Sequence, residues 1–65
     1  MKMVTITSKT ATADPITYEA EATYNGNGMT IIGQYHGTED ESRKEVKAGA
    51  ITELKRKAKH QGVFI

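Results

Sequence analysis

The stretch Ile16-Thr17-Tyr18-Glu19-Ala20-Glu21-Ala22-Thr23-Tyr24, with Asn25-Gly26-Asn27-Gly28 and Met29-Thr30-Ile31-Ile32-Gly33-Gln34-Tyr35 after it, decides the fold. Ile16, Tyr18, Ala20, Ala22 and Tyr24 alternate with Thr17, Glu19, Glu21 and Thr23. A period of two is that of a strand with one face buried and its acids in water. The two Asn-Gly pairs supply residues that tolerate positive φ, as a tight hairpin turn requires. The return limb sets Met29, Ile31, Gly33 and Tyr35 against Thr30, Ile32, Gln34 and His36. Ile32 interrupts the polar face, so that side of the sheet is expected to be partly covered.

Upstream, Val4-Thr5-Ile6-Thr7 is β-branched throughout and predicts a short strand. Ser8 to Pro15 is small and polar, ends in Asp14-Pro15, and is expected to be a loop. Downstream, Gly37 ends the third strand. Thr38-Glu39-Asp40-Glu41 has the form of a capping box with Thr38 as N-cap, and Ser42 with Glu45 is a rival. Val46, Ala50, Ile51, Leu54 and Ala58 then form an apolar stripe at helical spacing, and Gly62 suits the residue after the helix end. Gly49, unfavourable in a helix interior, is explained by close approach to the sheet. The tail Val63-Phe64-Ile65 is expected to dock on the sheet or on another chain. The expectation is one α+β domain over residues 1–65: a three-stranded antiparallel sheet packed against one C-terminal helix, in the order β-β-β-α.

A 65-residue chain has room for one thin core and is marginal alone. It has no cysteine, so neither a disulfide nor a Cys-based zinc site can staple it. The start of the chain shows no leader pattern, and no run approaches the roughly 20 apolar residues that span a bilayer. A cytoplasmic protein with no membrane association is expected. No edge strand is strongly protected by proline or bulges, so a homodimer is a reasonable expectation.

Net charge is +1, but its distribution is uneven. Arg43, Lys44, Lys47, Lys55, Arg56, Lys57 and Lys59 outnumber Glu45 and Glu53 in the C-terminal third, whereas acids dominate before it. Such a block is either a polyanion-binding face or a solvated helix whose cations complement its dipole. His36 and His60 lack partners at metal-ligand spacing, and no nucleophile triad, phosphate loop or paired-carboxylate arrangement is present. No enzymatic activity, metal or cofactor is expected. Tyr18 and Tyr24 share the face of Ile16 and the alanines, which assigns them to the core and not to a base-stacking platform.

The order of strands, Asn-Gly turn, glycine and Ser-basic-Lys helix start resembles the C-terminal part of a double-stranded-RNA-binding domain. The likeness is carried by Tyr18 to Gly26, Gly33, Gly37, and Ser42-Arg43-Lys44-Glu45-Val46-Lys47-Ala48-Gly49-Ala50-Ile51. It implies that Arg43, Lys44 and Lys47, beside helix N-terminal amides, lie on phosphates flanking a groove of A-form RNA. The chain departs from the family's pattern in three places. The N-terminal helix has no counterpart; the segment Lys9 to Asp14, where the family has a groove-probing loop, lacks the usual His; and Glu39, Asp40 and Glu41 directly precede the basic run.

Two functions of different class follow. One is a nucleic-acid-binding module, favouring duplexes, that uses Arg43, Lys44, Lys47, Lys55, Arg56 and Lys59 of the helix. The other is a small protein-interaction, inhibitor or phage-type accessory protein acting through a sheet edge or the apolar tail.

Overall fold

A computed structural model describes residues 3–65. Three antiparallel strands, β1 (Met3–Ala13), β2 (Ile16–Gly26) and β3 (Met29–His36), are followed by one helix, α1 (Arg43–His60). The sheet order is β1-β2-β3, so β2 is central and both other strands are edges. This is the expected β-β-β-α architecture.

The expected loop from Ser8 to Pro15 is instead mostly strand. β1 continues to Ala13, pairing Lys9 with Glu19 and Thr10 with Tyr18, and a bulge between Thr10 and Thr12 admits the extra residue Ala11. Threonines suit an extended backbone. The Lys9 ammonium also meets the Glu19 carboxylate across the ladder at 3.2 Å. The turn shrinks to Asp14-Pro15, where the Thr12 hydroxyl donates to the Pro15 carbonyl at 2.7 Å. The bulge also corrects the expectation that no edge strand carries one. At the other end, Asn27 and Gly28 (φ 54° and 73°) make the two-residue hairpin turn, and Gly26 pairs with Met29.

The helix starts at Ser42, not at Thr38. Ser42 Oγ accepts from the Glu45 amide at 3.2 Å, and the Glu45 carboxylate accepts from the Ser42 amide at 3.1 Å, which completes the box. Thr38 and Glu41 close a separate turn upstream. There the Glu41 carboxylate accepts from the Thr38 amide at 2.9 Å and from the Tyr35 hydroxyl at 2.8–2.9 Å. The Glu41 carboxylate is thereby held at the end of β3. At the C-terminus, Gly62 (φ 75°) donates to the Lys59 carbonyl, and Val63 donates to that of Ala58. This is the crossed bonding of a Schellman motif, with Val63 packed on the core.

Four residues of α1, Val46, Ala50, Leu54 and Ala58, are fully buried against Ala20, Ala22, Tyr24 and Ile31 of the sheet. The seam is close. A Cβ on Gly33 would strike backbone atoms of Leu54 and Ala50, and one on Gly49 would strike the Tyr35 ring. Ile51, expected in the buried stripe, is only half-buried. Ile16 and Met29, expected on the buried face, are 54% and 37% exposed. An 18-residue helix is about 27 Å long, whereas an 11-residue strand is about 37 Å, so the strand ends outrun their cover. The face bearing Ile32, which is 41% exposed, has no second layer over it among the described residues.

Gly33→Ala is expected to lower stability by about 3 kcal/mol or more, because the colliding atoms are helix backbone and cannot rotate away. Tyr24 offers the contrast. Its hydroxyl is buried with no hydrogen-bond partner among the described residues, so Tyr24→Phe is expected to leave the melting temperature unchanged or raised. Thermal denaturation followed by far-UV circular dichroism checks both.

Candidate nucleic-acid interface

Helix residues four apart lie on one line along the surface, and the buried line Val46-Ala50-Leu54-Ala58 orders the rest of α1 around it. The neighbouring line on one side is Glu45-Gly49-Glu53-Lys57. It faces β3, because Gly49 abuts Tyr35 and the Lys57 ammonium donates to the Ile32 carbonyl at 3.0 Å. The line on the other side, Arg43-Lys47-Ile51-Lys55-Lys59, therefore overhangs β1. The outermost line is Lys44-Ala48-Thr52-Arg56-His60, exposed throughout.

The six expected site residues thus divide. Arg43, Lys47, Lys55 and Lys59 share the β1-side line, which extends about 24 Å at helical rise and winds by about 40° with each four-residue step, from the sheet at Arg43 toward solvent at Lys59. Lys44 lies on the exposed outermost line. Arg56 does also, and its guanidinium is committed to Glu53 at 2.7 Å. That bond, with the attraction between the two charges, raises the Arg56 pKa and lowers that of Glu53. Arg43 stacks over the Tyr18 ring, 5.0 Å from its centroid, a cation–π contact. Among the described residues, ion pairs join only Lys9 to Glu19 and Arg56 to Glu53, so Lys47, Lys55 and Lys59 have no carboxylate partner.

The helix N-terminus is less open to phosphate than the resemblance implies. Its Glu45 amide is taken by Ser42, and the Glu45 carboxylate lies at the same end. Glu41, which directly precedes the basic run, accepts from Tyr35 and Thr38. Hydrogen bonds from the Thr38 amide and then the Tyr35 hydroxyl hold its carboxyl below the usual carboxylate range, and the same bond pushes the Tyr35 phenol up. Lys9 to Ala13, where the resemblance implies a second groove-probing loop, is strand.

Sequence reasoning missed the floor beside the lysine line. Val4 and Ile6 pair with Tyr24 and Ala22, so they share the helix-side face of the sheet, yet they are 44% and 37% exposed. The hint was present in the position of Ile51, one residue after a buried one. Nothing local marks Tyr18 as the platform for Arg43. The opposite, open face of the sheet carries Lys9, Glu19, Glu21, Gln34 and His36 in a shallow depression, where Gln34 donates to Glu21 at 3.0 Å.

Comparison with protein-family models, with curated proteins and with solved structures finds no match for the chain. The resemblance to double-stranded-RNA-binding domains therefore stands on the quoted residues alone.

The lowered Glu41 carboxyl has a consequence for stability. Its contribution is fully present above the unfolded carboxylate's pKa and is lost as pH falls through the lower folded value. The raised Tyr35 phenol acts oppositely, contributing below its unfolded pKa and losing that as pH rises through the folded one. Glu41→Gln is expected to melt below the wild type at neutral pH, with the gap closing in acid; a pH series of melting curves for both proteins measures it.

Proposed function

We propose that the chain is a small nucleic-acid-binding module that lies against the phosphate backbone of a duplex with the β1-side line of its helix. The reading is carried by Arg43, Lys47, Lys55 and Lys59. They project from one rigid line while Glu41, Glu45 and Glu53 are held at the upstream turn, the helix cap and the β3 side. Cations fixed at regular intervals on a stiff helix suit a stiff, regularly charged polymer. A duplex is favoured over a single strand because the tyrosines are occupied. Tyr24 is buried, Tyr18 lies under Arg43, and Tyr35 is tied to Glu41. The resemblance to double-stranded-RNA-binding domains supports the same ligand class with a shifted footprint, along the helix and not at its start. The alternative, capture of a protein partner through a sheet edge or the tail, is favoured by Phe64, which is 82% exposed.

The test is a binding series with duplex RNA, duplex DNA and single strands across a range of salt. Affinity for duplexes is expected to fall linearly on a log–log plot, each neutralised lysine of the line reducing the slope by about 0.9. Lys47→Glu with Lys55→Glu should abolish binding. Arg56→Ala, which removes a cation already paired on the outer line, should not. Equal losses from the two variants would reduce the effect to bulk charge, and unchanged binding by the double variant would sink the proposal.

A further inference from the structure

We infer that β1 is the seam along which two copies of this chain pair, antiparallel and about a two-fold axis, to form one six-stranded sheet. The strand is the anomaly of the structure. Met3–Ala13 is as long as any strand in the sheet, yet none of its residues is buried. Its main hold on the fold is its ladder with β2, because α1 lies chiefly over β2 and β3 and reaches β1 only lightly. Its outer edge offers unpaired backbone donors and acceptors along about 37 Å. The β3 edge, by contrast, is partly closed by the Lys57 ammonium on the Ile32 carbonyl.

Three observations select a second copy as the occupant. First, the surface is large. The chain exposes 4567 Å² at 7.1 kDa, whereas a compact monomer of that mass exposes about 4,100 Å². A surplus of about 500 Å² per copy makes about 1,000 Å² for a pair, where specific interfaces begin. Second, Lys9 is the only charged side chain of β1. A register centred on Ile6 pairs Met3 to Lys9 of the two copies, sets Lys9 opposite Met3 and Ile6 opposite Ile6, and places Val4 of each diagonal to Ile6 of the other on the helix face. Third, that register turns two separate apolar strips into one continuous floor between the helices. Neither strip is closed by its own helix, and each is rimmed by Ile51 and the lysine line.

The pair has a defined shape. At about 4.8 Å between strands, the two helix axes lie about 20 Å apart on the same side of the sheet. The two lysine lines then border a trough between the helices, Lys47 nearer its floor and Lys55 and Lys59 nearer its rim. Pairing is driven by backbone bonds and apolar contact against mutual repulsion of these lines, so salt should tighten it. Salt should weaken duplex binding, so the two associations respond with opposite sign.

Sedimentation equilibrium of the full chain from micromolar to millimolar concentration tests the seam. The expected result is a reversible shift from 7.1 kDa to twice that mass, held or strengthened as salt rises. Val4→Lys and Ile6→Lys, at sites already exposed in the single chain, should each raise the dissociation constant at least tenfold with the circular dichroism unchanged. In a sample mixing isotope-labelled and unlabelled wild-type chains, intermolecular nuclear Overhauser contacts between β1 backbones should appear, a measurement that needs no variant to fold. A monomer at every concentration would overturn the inference and leave the edge to a different chain. A dimer that lacks those contacts, survives both lysines or dissociates in salt would overturn it equally. The double variant Lys47→Glu with Lys55→Glu is expected to keep the dimer while losing duplex, so the seam and the phosphate surface fail separately.

Discussion

The closeness of α1 to β3 governs the rest of the molecule. Gly33 lies under the backbone of Ala50 and Leu54, and Gly49 lies over the Tyr35 ring, with no space for a methyl group at either place. Alanines at 20, 22, 50 and 58 continue the same thin seam, and Tyr24, Leu54 and Val46 supply most of its volume. A helix held this tightly has no freedom to slide or roll. It is anchored chiefly over β2 and β3, and it reaches β1 only lightly. A small domain buries little apolar surface, and here that surface is concentrated on two of three strands.

Fixing the roll of the helix also sorts its charges. With Val46, Ala50, Leu54 and Ala58 turned inward, each neighbouring line is assigned a direction. The acids Glu45 and Glu53 fall on the β3 side with Gly49, and the cations Arg43, Lys47, Lys55 and Lys59 fall on the β1 side. In the acidic turn before the helix Glu41 is drawn aside, while Glu39 and Asp40 stay exposed. Tyr35 and Thr38 donate to Glu41 and draw it to the end of β3. A basic segment that is mixed along the chain is therefore segregated in space.

The hairpin was legible because two local rules agreed: strict alternation on both limbs, and Asn-Gly where φ must be positive. The helix was legible from its stripe and from Gly62, which takes the left-handed conformation expected of it. Errors arose where local rules were silent or tied. Ser8 to Ala13 has too little apolar character to announce a strand, and it is extended because β2 offers it a partner of full length. Thr38 and Ser42 both had a glutamate three residues on. Both glutamates reach back to their caps, but only the Ser42 hydroxyl accepts the amide three residues on; the Thr38 hydroxyl donates to Glu41 and the Glu41 amide goes to the Thr38 carbonyl, which closes a turn and not a helix start.

What the sequence by itself determined is the element order, the single-layer sheet with its helix, and the presence of a basic helix; these depend on periodicity and turn chemistry, which act over a few residues. What only the tertiary structure decided is which cations stand together and which strand goes bare. Both follow from the roll and position of α1. Those are set by steric exclusion at Gly33 and Gly49, whose contacts join residues far apart in the chain, and no reading of neighbouring residues can supply them.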